Sequence, residues 1–178
     1  PYQKTEATVI KAPLFNKGMK ENAAVFQHTQ GWGIMADCIL GHGKRAFKNY
    51  KNYLPAAYNE CAEVRQIEPY VYAQTTCSTY NKRAGQSRCP WLSGTASWAY
   101  FTAAQYILGI RPDYDGLMID PCIPGWKGFT ATRKFRGKTA NITVKNPKKV
   151  EKGVVSITLN GKAIEGNVVP FGAMKKEN

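Results

Sequence analysis

At Pro112 the hydrophobic pattern of this chain changes period, and that change limits what it can fold into. Before it, apolar residues recur at helical spacing. From Trp32 onward, Met35, Ala36, Ile39 and Leu40 share one helical face, and Gly41 with Gly43 ends the run. A second helix is expected over about residues 44–53, with Ala46, Phe47, Tyr50 and Leu54 on one side and Pro55 as its stop. A third should occupy about 95–108. Ala96, Trp98, Ala99, Phe101, Ala103, Ala104 and Ile107 place apolar or small groups on most of its sides, so burial all round is expected.

Beyond Pro112, the residues Gly116, Pro121, Pro124, Gly125 and Gly128 punctuate a connecting segment. Period-two stretches follow at Phe129, Ala131, Arg133 and Phe135, at Ile142 and Val144, and at Val155, Ile157 and Leu159. The last runs into Asn160-Gly161, a signal for a tight hairpin, and one more short strand is expected between Ile164 and Val169. Residues 56–90 show little periodicity. They read as a long, aromatic-rich functional loop in which Glu60, Glu63, Arg65 and Glu68 form an ion-pair network. Residues 175–178 read as a polar tail.

Helices therefore come first and an antiparallel sheet second, with a boundary near 112–125. Three hairpin strands cannot close a sandwich, and about three helices do not complete a bundle, so each half reads as the end of a larger unit. With no initiator Met before Pro1, the chain reads as cut from something longer.

Composition closes off several classes. With 43% hydrophobic residues in 178, the chain can bury a core, which excludes wholesale disorder. No apolar run reaches the length of a membrane span, and no secretory signal opens the chain. The net charge of +13 is carried partly by a denser run at Lys134, Arg136, Lys138, Lys145, Lys148, Lys149 and Lys152. Because these flank strand-like stretches, a solvated basic face is expected, and no nucleic-acid module accompanies it. Five cysteines at irregular spacing, with only two histidines, argue against zinc and for reduced, mostly buried thiols of a cytoplasmic protein.

Two separated segments carry chemistry. Gln27-His28-Thr29-Gln30-Gly31-Trp32 and Trp91-Leu92-Ser93-Gly94-Thr95-Ala96-Ser97-Trp98 each set small polar groups, glycine and an indole at the mouth of a helix. Main-chain N–H groups and the positive helix end favour an oxyanion there, and flat apolar walls suit a sugar ring. Together they point to a site for a carbohydrate and an anion. Singly, His28 reads as well as a structural hydrogen-bonder, and Ser93-Gly94-Thr95 as an ordinary N-cap turn. Trp32, Trp91 and Trp98 are expected to pack rather than to serve as sugar platforms.

These motifs stand in one order with several longer ones: Lys20-Glu21-Asn22, Tyr53-Leu54-Pro55-Ala56-Ala57-Tyr58-Asn59, Glu63-Val64-Arg65-Gln66-Ile67-Glu68-Pro69-Tyr70, and Gln105 through Leu117 into Ile119-Asp120-Pro121-Cys122-Ile123-Pro124. Together they resemble the C-terminal third of the inverting disaccharide phosphorylases, the family typified by cellobiose phosphorylase. The resemblance implies an α+β chain that holds the last helices of an (α/α) six-hairpin barrel over 1–115, followed over 116–178 by an antiparallel, jelly-roll-like C-terminal domain. Either part would be incomplete by itself.

The implied reaction is cleavage of cellobiose by inorganic phosphate, with inversion, to α-D-glucose 1-phosphate and D-glucose. The alternatives are N,N′-diacetylchitobiose as the substrate, a non-catalytic carbohydrate-binding module, or a basic domain for nucleic acid. By the same resemblance His28, Ser93 and Gly94 bind phosphate, with Ser93 where many members carry Thr. Glu21, Gln74 and Lys20 bind sugar, and Phe15 stands where a tyrosine is expected. The general-acid aspartate and a phosphate-binding arginine lie upstream in the family. Asp37, Asp113, Asp115 and Asp120 do not match the acid's motif, so the chain alone is expected to be inactive. No cofactor is implied, since phosphate is a co-substrate. A cytoplasmic homodimeric parent is implied, with neither nucleic acid nor membrane as partner.

Overall fold

The computed structural model describes residues 1–174, so the tail expected over 175–178 lies outside the described residues. The chain is an α+β protein that divides into two compact units. One contains residues 1–33 and 50–100, the other 34–49 and the described residues from 101 onward.

The expected helices form. Helix α1 covers Gln30–Ile39 and α2 Gly43–Tyr53, and a one-turn α3 covers Ala62–Arg65. Gln66, at φ 56°, turns the chain out of α3. Helix α4 runs over Thr95–Thr102 and continues as a π-helical turn over Ala103–Ile107. It is not buried all round. Thr95, Ala99 and Thr102 are enclosed, but Ala96, Ser97 and Tyr100 face outward, because alanine and serine are small without requiring burial.

The first unit also holds a sheet where a loop was expected. Strands β1 (Val25–Phe26), β2 (Ala73–Thr76) and β3 (Ser87–Pro90) pair antiparallel in the order β1-β2-β3. Phe26 pairs with Thr75, which in turn faces Arg88, and Ala73 faces Pro90. Around β2, Val71, Ala73, Thr75 and Cys77 are buried while Tyr72, Gln74, Thr76 and Ser78 are half-buried. The period of two is present in burial but not in hydropathy, because the inward side chains are mostly small or hydroxylated. Among the described residues, no ion-pair network forms in the neighbouring segment. Arg65 donates to the carbonyls of Val71 at 2.9 Å and Pro55 at 3.4 Å, and Glu68 accepts from the Trp91 indole at 3.2 Å.

In the second unit, β4 (Ile110–Pro112) and β5 (Gly116–Ile119) form inside the expected connector. Then follow β6 (Gly128–Phe135), β7 (Lys138–Lys145), β8 (Ile157–Leu159), β9 (Lys162–Ile164) and β10 (Val168–Pro170). The pairings are β10-β5-β4, β6-β7 and β8-β9, all antiparallel. Asn160 and Gly161 sit at φ 50° and 84°, the two left-handed residues that a type I′ hairpin needs. Arg136 and Gly137, at 48° and 74°, make the same turn between β6 and β7. The core gathers Ile110, Leu117, Ile119, Phe135, Val169 and Met174.

The basic run is not a uniformly solvated face. Lys138 is buried at 9% exposure, and its ammonium donates to the carbonyls of Phe171 at 2.7 Å and Met174 at 2.6 Å while lying over the Phe171 ring. Arg136 stacks on Phe135 and donates to the carbonyls of Tyr114 and Asp113. Lys152 reaches Asp120 at 3.0 Å, alongside Arg111 at 3.1 Å. Lys138 satisfies carbonyls that burial would otherwise strand, whereas the Arg136 contacts lie at the surface.

Candidate functional site

Every candidate site residue falls in the first unit, and β2 is the element that relates them. The main-chain carbonyl of Gln74 accepts from the Gln27 N–H at 2.8 Å, which fixes the segment that carries His28. The side chain of Gln27 donates to the Thr76 hydroxyl at 2.7 Å, two residues along the same strand. One position earlier, the Ala73 carbonyl accepts from the Thr95 hydroxyl at 2.9 Å and from the Ser93 hydroxyl at 3.4 Å. Adjacent peptide units of one strand thus hold both helix mouths.

At the first mouth, Thr29 Oγ1 and Gln30 Nε2 both donate to the Phe26 carbonyl, at 3.1 and 2.9 Å, and α1 begins there. The His28 imidazole stands half-exposed between the Phe26 ring (5.8 Å between centroids) and Trp32 (6.1 Å). At the second, Ser93 Oγ accepts the Thr95 N–H at 3.0 Å and is hydrogen-bonded to the Thr95 hydroxyl, while the Gly94 carbonyl accepts from the Trp98 N–H at 3.0 Å. Thr95 is fully buried and Gly94 exposed, so the turn is anchored from below and open above. A Cβ on Gly94 would lie 3.6 Å from the Trp98 ring, within ordinary contact.

Trp32 and Trp98 meet edge to face with centroids 5.7 Å apart. Phe26, His28, Trp32 and Trp98 therefore form one aromatic chain from the histidine to the serine-glycine turn. Packing was expected of the tryptophans, and Trp98 packs. Trp32 and Trp91 remain 49% and 65% exposed, because each lies at a helix mouth rather than beneath it.

The sugar-binding candidates cluster on the other side of Gln74. Lys20 Nζ donates to Gln74 Oε1 at 2.5 Å and to Cys89 Sγ at 2.9 Å. The loop that presents Lys20 is pinned by Asn22, 2% exposed, whose amide donates to the Phe15 carbonyl at 2.8 Å and accepts from the Tyr2 N–H at 2.7 Å. Gly18, at φ 75°, allows this loop to press on the β2–β3 connection: a Cβ there would fall 2.8 Å from the Asn81 nitrogen. Phe15 and Glu21 are exposed beside it. Three residues of this region that are not glycine, Lys20, Ala23 and Cys89, hold left-handed φ values of 46°, 71° and 51°. Such conformations cost free energy and persist only where the surroundings enforce them.

Asp37 accepts from Arg45 at 2.6 Å and Asn49 at 3.0 Å, Asp113 accepts the Asp115 N–H, and Asp120 is held by two cations. Sequence reasoning overlooked Cys89, whose partner lies 69 positions away.

Comparison with known proteins places the chain in a family. Residues 1–109, more than half of the chain, match the catalytic domain of the glycosyl hydrolase 94 superfamily. The chain belongs to that superfamily. It is 46% identical over 155 residues to an N,N′-diacetylchitobiose phosphorylase of Vibrio proteolyticus, covering 86% of this chain and 19% of that protein. A phosphorylase of the same name from Vibrio furnissii is 43% identical over 159 residues, covering 88% and 20%. A solabiose phosphorylase of Paenibacillus borealis is 34% identical over 172 residues, covering 96% and 22%. The chain spans about a fifth of the length of these superfamily relatives.

Proposed function

We propose that this chain is the C-terminal part of an inverting disaccharide phosphorylase and supplies its phosphate cradle and part of its sugar site. The observation that carries the reading is the double use of β2: its consecutive carbonyls tie the His28 segment and the Ser93-Gly94 turn to one strand. Two helix mouths held in register suit a tetrahedral anion. His28 donates to the phosphate. The Ser93 hydroxyl and the main chain at Gly94 complete the cradle.

Phosphate oxygen attacks the anomeric carbon, the bond to the departing sugar oxygen breaks, and a carboxylic acid on the opposite face protonates that oxygen. Phosphate is already nucleophilic at neutral pH, so no general base is needed, and one in-line displacement inverts the centre. Lys20, Glu21 and Gln74 bind sugar hydroxyls, with Phe15 alongside. The acid comes from the remainder of the polypeptide, as Asp37 and Asp120 are committed to cations. On this reading residues 1–115 end a helical barrel, and 116–178 belong to the terminal sheet domain. The outward face of α4, with Tyr100 66% exposed, is then a surface for the other barrel helices.

Two substrates deserve direct comparison. The motif context favours cellobiose. The identities favour N,N′-diacetylchitobiose, at 46% and 43% against 34% for the solabiose enzyme, and we take the acetamido disaccharide as the substrate. No helix among the described residues is long and apolar enough to cross a membrane. All five cysteines are free, which suits a reducing compartment such as the cytoplasm. By the family resemblance, the parent is proposed as a homodimer that uses phosphate and no cofactor.

The test is sugar 1-phosphate release by the full-length polypeptide from each disaccharide plus phosphate, wild type against His28→Ala. Turnover on N,N′-diacetylchitobiose that falls at least about a hundredfold in the variant, mostly through phosphate saturation, is the expected result. Undiminished activity in His28→Ala would remove the phosphate assignment. Product from the 178-residue chain alone would show that its acid is internal.

A further inference from the structure

Lys20, Gln74 and Cys89 come from a loop and two adjacent strands, yet they form one hydrogen-bonded cluster. Lys20 Nζ stands 2.5 Å from Gln74 Oε1 and 2.9 Å from Cys89 Sγ. The register explains the meeting. Ala73 pairs with Pro90 and Thr75 with Arg88, so Gln74 and Cys89 occupy the interval between two matched pairs of neighbouring strands. Lys20 and Cys89 also both hold left-handed backbone, at φ 46° and 51°, an arrangement that aims two side chains at one point at a cost to each.

A lysine ammonium on a flexible stem has three donors and loses rotamer freedom wherever it is fixed. Two of the three are already directed, one to an amide oxygen and one to sulfur. The third direction is left for a further oxygen. Sulfur is a weak acceptor, so it orients the ammonium without competing strongly for it. A carboxylate in its place would form a tight ion pair and hold the lysine back from a neutral ligand.

We propose that Cys89 is a positioning residue for the sugar site: its thiol, with Gln74, fixes the Lys20 ammonium so that the third N–H meets a hydroxyl of the disaccharide. This rests on the phosphorylase reading for the identity of the ligand. Lys20 touches the sugar, and Cys89 acts through it.

Two measurements on the full-length polypeptide test this. The first is kinetic. Cys89→Ala is expected to raise KM for N,N′-diacetylchitobiose about tenfold while leaving KM for phosphate within about twofold, and Cys89→Ser, which keeps an acceptor, to restore the sugar KM to within about threefold of wild type. Equal KM values for sugar in wild type and Cys89→Ala, or a matching loss in both variants, would overturn the positioning role. The second needs no turnover. Alkylation of Cys89 by iodoacetamide, followed by mass spectrometry of its peptide, is expected to slow at least about threefold with N,N′-diacetylchitobiose or cellobiose and to be unchanged by inorganic phosphate alone. If the wild type turns over no disaccharide, the phosphorylase reading fails and this protection decides for Cys89: slowing by either sugar upholds it, and a rate indifferent to both overturns it.

Discussion

Trp98 meets Trp32 edge to face at 5.7 Å between ring centroids, although the two indoles belong to different helices. This contact joins the histidine segment to the serine-glycine turn through side chains, in parallel with the main-chain connection through β2. Truncating Trp98 removes a half-buried ring and its edge-to-face partner. Trp98→Ala should therefore destabilise the protein by about 2–3 kcal/mol, less than a fully enclosed tryptophan would, as read from the urea midpoint. Trp32→Ala, at 49% exposure, should cost clearly less.

Lys138 is the cation whose removal should matter most to stability. Its Nζ donates to two carbonyls and lies 4.1 Å from the Phe171 ring centroid. Lys138→Met keeps the stem but leaves both carbonyls without their donor. A loss of about 1–3 kcal/mol is expected in chemical denaturation, whereas Lys134→Met, on the exposed side of β6, should change little.

Alkaline pH should loosen the first unit through its tyrosines. Burial, and then the neighbouring Tyr50, push the Tyr72 phenol up to about 12, and burial also raises Tyr50 and Tyr53. In the unfolded chain these groups ionise near 10. Below that pH they are neutral in both states and their contribution is complete; as pH rises towards about 12, ionisation favours the unfolded chain and stability falls. Melting temperatures recorded from pH 9 to 12, with absorbance at 295 nm, should show the decline, and Tyr72→Phe should flatten it.

The thiols should separate into classes. Burial, followed by the neighbouring Cys122, pushes Cys38 up to about 12. Cys38, Cys77 and Cys122 are buried and Cys61 is exposed. With a chromogenic disulfide reagent at pH 8, Cys61 should react at once and the three buried thiols only in denaturant. Rapid native reaction of Cys38 would contradict its placement.

The helices were legible because their stop signals are local: Gly41 and Gly43 after α1, and Pro55 after α2. The strand β2 was not, because Ala73 and Thr75 fill its buried face, one too small and the other too polar to mark a strand by hydropathy. The β4–β5 pair hid behind Pro112 and Gly116, residues that normally mark turns, although here they sit at strand ends. In the site, His28 and Ser93 could be nominated from their neighbours in sequence. The Lys20–Cys89 contact could not, since it depends on a register that no local pattern encodes.

The use of the Ala73 and Gln74 carbonyls has a consequence for how this protein would look under saturation mutagenesis. Every amino acid carries a carbonyl, so no codon change can delete these acceptors. A scan of all substitutions would score position 73 by what fits beneath the sheet, and would be blind to its hold on the serine-glycine turn. Replacing that peptide linkage with an ester, which weakens its carbonyl as an acceptor, is the perturbation that would expose it.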